Sequence, residues 1–250
     1  MTTTDETVGI VMPMYNARAT IARAVQSVLD QRWPHWHLYI VNDKSTDDSL
    51  NFVREKFKDA RITVLENAQN MGAAETRNVG LRAASEPLIA FLDSDDEWQP
   101  EKLTEQVNAV RSGENFVISH YHYKTHSAEH DITWSAAQLT KESFVKKQFR
   151  VCFSSVLFRR PEQGILFQRK GHEDFLFLYE LFTRYHHARV INKTLVNYYE
   201  LSNSLSRNKN KAAKWHLDLL KIIYKNKPLK VYYYYGWYMF NGVLFSLKHR

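Results

Sequence analysis

Residues 88–96 read Leu-Ile-Ala-Phe-Leu-Asp-Ser-Asp-Asp, so five apolar residues run without a break into three carboxylates. An apolar run of this length, closed by polar residues, suits a strand buried on both faces, as in parallel sheets covered by helices. Asp93, Asp95 and Asp96 then stand just past its carboxyl end, where open α/β sheets bind ligands. Upstream, Gly9–Met12, Leu38–Val41 and Ile62–Leu65 read as three more strands. Between them, Ala19–Leu29 puts Ile21, Ala24, Val25, Val28 and Leu29 on one face at helical spacing, and Ser49–Phe57 and Ala74–Ala84 do so more loosely. The order βαβαβαβ predicts an α/β fold with a mostly parallel sheet flanked by helices.

Downstream, Pro100–Ser112 predicts a helix with proline in its first turn, and Phe116–Tyr123 and Val151–Phe158 predict strands. Glu173–Tyr185 reads as a helix with Phe175, Leu178, Tyr179 and Phe182 on one side. From Asn208 the chain reads as helical with an interruption at Pro228, ending in an aromatic run over Val231–Leu247. The expected division is one domain over 1–207, with a first half to about 115 and a second half from 116, then a helical basic and aromatic extension over 208–250.

Charge follows the same division. Residues 1–100 carry 10 basic and 15 acidic side chains, a net of −5, whereas residues 201–250 carry 10 basic and one acidic, a net of +9. A nucleic-acid-binding protein carries its basic residues where its motifs lie; here the motif-rich part is acidic, which argues against nucleic acid as a partner. The basic tail interleaved with aromatics fits an anionic membrane face, the alternative being a solvated surface that binds nothing. Val231–Leu247 is short and polar for a spanning helix but suits an interfacial one. The single Cys152 cannot form an intramolecular disulfide, and the start MTTTDETVGIV lacks the basic flank and apolar stretch of a signal peptide. Both predict a cytoplasmic location, and the tail predicts a peripheral place on a membrane face.

The polar residues after three strands converge on one crevice. Asp93 and Asp95 are closely spaced carboxylates of the kind that suits Mg²⁺ or Mn²⁺, ions that retain water and bind substrate phosphates. Tyr15, after Pro13 and before Asn16, is placed to wall a nucleotide-base slot. Asp43 is placed to accept a hydrogen bond from a base or a ribose, or else to cap the following helix, a role that Ser45, Thr46 or Asp47 would fill equally well. Asn70–Ala74 followed by Arg77 forms a loop-to-helix transition whose amides and guanidinium favour phosphate, while Gly80 reads as a packing glycine. His120, His122, His126 and His130 invite a zinc reading, but their spacing matches no metal signature.

Taken in order, VGIVMPMYNA (8–17), VNDKSTDDS (41–49), NMGAAETRNVGL (70–81) and IAFLDSDDEWQPEKL (89–103) resemble the family 2 glycosyltransferases of GT-A type. The likeness is to the bacterial enzymes that build O-antigen, capsule and teichuronic acid. It is strong over residues 8–105 and continues through HEDFLF (172–177) and, more faintly, NYYELSNSLSRNK (197–209). The resemblance implies a nucleotide-sugar donor, a UDP-sugar first, and a divalent cation, with inversion at the anomeric carbon. It also implies a hexosyl or N-acetylhexosaminyl group moved to a lipid-linked or lipopolysaccharide glycan acceptor. Pro13, Tyr15, Asn16, Asp43, Arg77 and Asp93 would then bind donor, and Asp93 and Asp95 would hold the metal. Of the acidic pair Glu173-Asp174, the second would be the catalytic base. An acceptor hydroxyl needs such a base, and Glu173 would raise the proton affinity of Asp174 by like-charge repulsion.

Three positions in two places depart from the family pattern. Asn42 and Lys44 stand where an aspartate and a glycine are common, and Glu200 stands where an arginine is common. Two other functions share part of this pattern, a sugar-1-phosphate nucleotidyltransferase and a catalytically silent glycan-binding scaffold. The Glu173-Asp174 pair and the lack of a glycine-rich, basic triphosphate loop argue against the first.

Overall fold

A computed structural model describes residues 6–125, 128–169, 173–200 and 209–248. The repeating first unit forms as the periodicity predicts. Strands β1 (Val8–Met14), β2 (Trp36–Asn42), β3 (Ile62–Glu66) and β4 (Leu88–Phe91) alternate with helices α1 (Ile21–Leu29), α2 (Ser49–Lys56) and α3 (Ala73–Ala83). β5 (Glu97–Trp98), α4 (Lys102–Arg111), β6 (Phe116–Lys124), β7 (Glu129–Ile132), β8 (Gln138–Thr140) and α5 (Lys141–Val145) follow. Beyond them come β9 (Leu157–Arg159), α6 (Glu173–Tyr185), β10 (His187–Tyr199), α7 (Lys209–Ile223) and α8 (Pro228–Lys248).

The strands form one sheet in the order β3-β2-β1-β4-β9-β6-β10-β5, with β7 on β6 and β8 on β10. β1, β2, β3 and β4 pair in parallel, and β6 pairs in parallel with β10. Short β9 lies antiparallel to both β4 and β6, so the two parallel groups share one direction. The carboxyl ends of all the long strands therefore open on the same edge, and the order reverses between β1 and β4, the place where such sheets form a crevice.

Alternation sorts each buried strand between two cores. Val8, Ile10, Met12 and Met14 of β1 join α1, α2 and α4, whereas Val11 joins α3, α5 and α6. Gly80 on α3 allows close contact, because a Cβ there would lie 2.5 Å from Cγ1 of Val11; its reading as a packing glycine stands.

The segment expected as a strand over Val151–Phe158 is different. Only Leu157–Arg159 pairs, and Phe153–Ser155 forms a 3₁₀ turn. Ser155 donates from its hydroxyl to the Cys152 carbonyl at 2.7 Å and from its N–H to the same oxygen at 3.0 Å. Such local bonds compete with a strand ladder. Trp98 Nε1 and Gln106 Nε2 then capture the freed carbonyls of Ser154 and Ser155, at 2.8 and 2.7 Å. Pro228 does not merely interrupt the last helix: it opens α8 in the first turn, where a missing N–H costs nothing. The expected boundary at 207–208 lies outside the described residues.

Candidate active site

Asn16 turns the chain after β1 with a φ of 48°, a left-handed conformation that asparagine tolerates. Its Oδ1 accepts from the N–H groups of Thr46 at 2.8 Å and Asp47 at 3.3 Å, and its Nδ2 donates to the Thr46 hydroxyl at 3.1 Å. Asn16 thus clasps the loop after β2. Beside it the Tyr15 ring is 49% exposed at the strand end. Pro13 sits opposite Val41 on β2, beyond Val11, where the β1–β4 ladder ends. A residue with no N–H fits there, because the neighbouring strand has already departed.

Asp43 is buried, and its carboxylate is largely committed. It accepts from Asn67 Nδ2 at 2.9 Å, the Met71 N–H at 2.7 Å and the Gly72 N–H at 2.8 Å. These three bonds fix the loop that opens α3, and one of the four acceptor positions of a carboxylate remains. Asp43 does not cap α2; Asp47 bonds both the N–H and the hydroxyl of Ser49 there. Lys44 takes φ 59°, the conformation that a glycine adopts freely, and pairs with Glu66 at 3.5 Å. The turn is therefore kept without the glycine, and Asn42 supports it by accepting the Ser45 N–H at 3.2 Å.

Arg77 joins the two halves of the site. From α3 its guanidinium donates to Asp93 Oδ1 at 2.6 Å and to Asp174 Oδ1 at 2.9 Å, while 7% of its side chain is exposed. It lies over the rings of Phe153 and Phe167, at 5.0 and 5.5 Å. Burial disfavours its charge, but Asp174 and Asp93 outweigh that and hold its pKa above the ordinary value. One cation therefore brings together a strand-end carboxylate and the first turn of α6, which lies 97 residues beyond Arg77 in sequence.

Asp174 keeps 49% of its side-chain surface open, so it is reachable as well as crowded. Desolvation pushes its pKa up, Arg77 opposes, and Asp93 and Glu173 add to the rise. The upward influence of Glu173 was expected. Asp95 is pushed up to about 6, first by desolvation and then by Asp93. Its main-chain carbonyl accepts from Arg23 at 2.7 Å, and Arg23 lies over the Tyr199 ring at 3.8 Å. Asp96 is buried; it accepts the Ser154 hydroxyl at 2.5 Å and the Tyr199 N–H at 3.2 Å, while Ser154 Oγ accepts the Asp93 N–H at 3.1 Å. Burial raises the Asp96 pKa as well. The third acid thus holds the 3₁₀ turn and β10 beneath the other two.

Arg23, Ser154 and Tyr199 are the residues that sequence reasoning missed. Arg23 falls off the apolar face of α1, and Ser154 lies in a segment that read as a strand. Glu200 takes the Tyr123 hydroxyl at 2.6 Å. Among the described residues the histidines form no metal-holding group: His120 bonds the main chain of Trp134, and His122 bonds Asp131 at 2.7 Å. His126 and residues 201–208 of the fainter matching stretch lie outside the described residues, as does His172.

Among the described residues no group of three or more His, Cys, Asp or Glu could hold a metal. Asp93 and Asp95 instead offer a partial site: two neighbouring carboxylates, one of them driven toward protonation by desolvation and then by the other. That donor set fits an ion that keeps water and takes its remaining ligands from phosphate, and does not fit a caged zinc.

The Glycosyl transferase family 2 profile matches residues 9–199. The chain belongs to this family. A relative from Escherichia coli, UDP-Glc:alpha-D-GlcNAc-diphosphoundecaprenol beta-1,3-glucosyltransferase WfgD, is 32% identical over 98% of this chain and 95% of its own length. Among solved structures, S. aureus TarS 1-349 in complex with UDP-GlcNAc superposes with a TM-score of 0.73 at 18% identity, covering 90% of this chain and 69% of that one. The mannosyltransferase PcManGT from Pyrobaculum calidifontis, in complex with GDP-Man and Mn²⁺, gives 0.66 at 15% identity over 94% and 73%. These likenesses establish the GT-A fold for this family 2 glycosyltransferase.

Proposed function

We propose that this family 2 glycosyltransferase is an inverting enzyme of bacterial surface polysaccharide or lipopolysaccharide assembly. It moves a hexosyl or N-acetylhexosaminyl group from a UDP-sugar to a hydroxyl of a lipid-linked glycan, peripherally on the cytoplasmic face of the inner membrane. The observation that carries this reading is the Arg77 bridge, which puts the donor-side Asp93 and the half-open Asp174 on one guanidinium. The likeness to a glucosyltransferase whose name carries a diphosphoundecaprenol-linked sugar supports the class of acceptor.

Tyr15 and Pro13 would wall the base, the remaining acceptor position of Asp43 would meet it, and Asn16 holds the loops that shape the slot. Arg77, freed from one carboxylate, would meet the donor phosphates. Asp93 and Asp95 would hold Mn²⁺ or Mg²⁺, which when bound neutralises the diphosphate. Asp174 would take the proton of the acceptor hydroxyl as its oxygen attacks the anomeric carbon from the face opposite the diphosphate. The sugar–phosphate bond breaks, the nucleoside diphosphate leaves, and the configuration inverts. A pKa raised above the usual carboxylate range suits that base, because it then holds the proton better. Desolvation contributes most to that rise, and the charges of Asp93 and then Glu173 add to it against Arg77.

The test is a panel of nucleotide sugars screened for thermal protection, followed by transfer to a soluble diphosphate-linked N-acetylglucosamine acceptor, with the product anomer read by NMR. Transfer with inversion from a UDP-sugar is expected. Retention would overturn the single-displacement mechanism, and pyrophosphate release from UTP with a sugar 1-phosphate would favour the nucleotidyltransferase. No turnover with any donor would leave a silent scaffold.

A further inference from the structure

Helix α8 has two unlike faces. Inward, Val231 is buried, Tyr234 stacks on Tyr224 at 5.0 Å, Tyr238 stacks on His216 of α7 at 4.0 Å, and Asn241 donates to the Lys146 carbonyl at 2.9 Å. Outward, Leu229, Tyr232, Met239, Phe240 and Val243 stand at steps of three, seven, one and three residues, which at about 100° per residue keeps them on one face, and all are exposed, Leu229 at 86% and Val243 at 57%. That spacing is one helical stripe, about 20 Å long at the rise of an α-helix. No charged residue occurs from 231 to 247, and no acidic residue follows Asp218. Lys225, Lys227 and Lys230 stand exposed at the start of the stripe. Among the described residues no helix is long and apolar enough to cross a membrane.

The inner face leads to the catalytic candidate. Phe175, the neighbour of Asp174, meets His216 edge to face at 5.4 Å, and His216 lies on Tyr238. The first turn of α6 therefore rests on α7 and, through it, on α8.

We infer that the outer face of α8 lies in the headgroup layer of an anionic bilayer and holds the Asp174 end of α6 within reach of an acceptor anchored in the same bilayer. This rests on the proposed transfer to a lipid-linked glycan. Apolar and aromatic side chains enter the interface while the lysines meet anionic headgroups, the pairing that binds a helix flat on a surface. A second copy of the chain is a poorer occupant. Two-fold pairing along the stripe would offer Lys225, Lys227 and Lys230 no acidic partner on the facing helix, because no acidic residue follows Asp218.

The experiment uses the full chain, a Met239→Glu/Phe240→Glu variant and a Lys225→Glu/Lys227→Glu/Lys230→Glu variant, all at exposed positions outside the catalytic machinery. Co-sedimentation is measured with phosphatidylcholine vesicles with and without phosphatidylglycerol. Transfer is measured to a soluble acceptor analogue and to a vesicle-held one. Wild type is expected to bind only the anionic vesicles. The lysine variant should bind about a hundredfold less, and the stripe variant at least about tenfold less. Both should keep transfer to the soluble analogue, which also reports that they fold, and lose transfer to the vesicle-held one. Equal binding to neutral vesicles, unchanged binding by both variants, or a wild-type dimer that the stripe variant dissociates would overturn the inference. Absence of transfer in both formats with anionic binding intact would instead remove the catalytic reading and uphold the docking surface.

Discussion

The loops after β1, β2 and β3 and the segments after β6 are held by different forces. On the first side directional hydrogen bonds prevail: Asn16 clasps residues 45–47, and Asp43 takes Asn67, Met71 and Gly72. On the second side rings prevail: Phe177 packs with Phe91, Phe153, Phe158 and Phe167, and Phe144 stacks between Phe175 and Phe182. Directional bonds fix the loops of the proposed nucleotide slot before ligand arrives. Ring packing is tolerant of exchange, so the same scaffold can carry different acceptor surfaces. Arg77 is the charged link between Asp93 and Asp174 across the two sides, beside the paired hydrogen bonds of Asn78 with the Phe167 main chain.

The sharpest way to break this division is Asp174→Asn. If Asp174 serves only the acceptor, transfer falls about a thousandfold while donor affinity measured by calorimetry stays within about twofold. A large loss of nucleotide binding would move Asp174 to the donor side. Arg77→Met tests the link itself. It leaves Asp93 and Asp174 without their shared cation, and because both remain partly open to water the loss of stability is about 2 kcal/mol, below the range for a fully buried pair. Urea denaturation with an unchanged midpoint would mean that the two sides hold together without the bridge.

Asp95 sharpens the same comparison through pH. Its folded pKa of about 6 lies above the ordinary 3.8, so the folded state holds the extra proton and ionisation opposes folding. The stabilisation is full below about pH 4 and is lost as pH rises through about 6. In chelator, Asp95→Asn should therefore stabilise the protein by about 2 kcal/mol at neutral pH and hardly at all near pH 4, while abolishing metal-dependent turnover. An equal effect at both pH values would remove the crowding argument.

The donor side was the legible one because its motifs are made of residues that only certain bonds explain. Runs of apolar residues predicted β1 to β4, and Tyr15, Asn16, Asp43, Asp93 and Asp95 stand just past those strands as predicted, their donor and metal roles belonging to the proposal. β10 went unread because its register against β6 shifts twice, between Ile191 and Thr194 and between Thr194 and Val196, which spoils the alternation that marks a strand. Ser154 and Arg23 went unread because each works through the main chain of a segment more than 60 residues away, and no local spacing records such a contact. Glu173 and Asp174 were legible as a helix start from pattern, and as catalytic only through resemblance.

The smallest expected effect concerns the departure at Lys44, which tests whether the donor-side loop is as fixed as its bonds suggest. A lysine at φ 59° pays about 1 kcal/mol for its Cβ in the left-handed region, whereas glycine enters it freely but has more unfolded freedom to lose. Its pair with Glu66 is between half-exposed side chains at 3.5 Å, and Arg54 reaches the same carboxylate at 3.5 Å, so losing the lysine costs only a few tenths of a kcal/mol. The balance favours Lys44→Gly by about 0.5 kcal/mol, a rise of roughly 1–2 °C in Tm for a chain of this size. The gain should grow slightly with salt, which screens the lost pair. The Asp43 bonds at Met71 and Gly72 do not involve Lys44, so donor affinity should stay unchanged. A fall in Tm would show that the Lys44–Glu66 contact matters more than the backbone strain, and a changed donor affinity would show that Lys44 reaches the nucleotide.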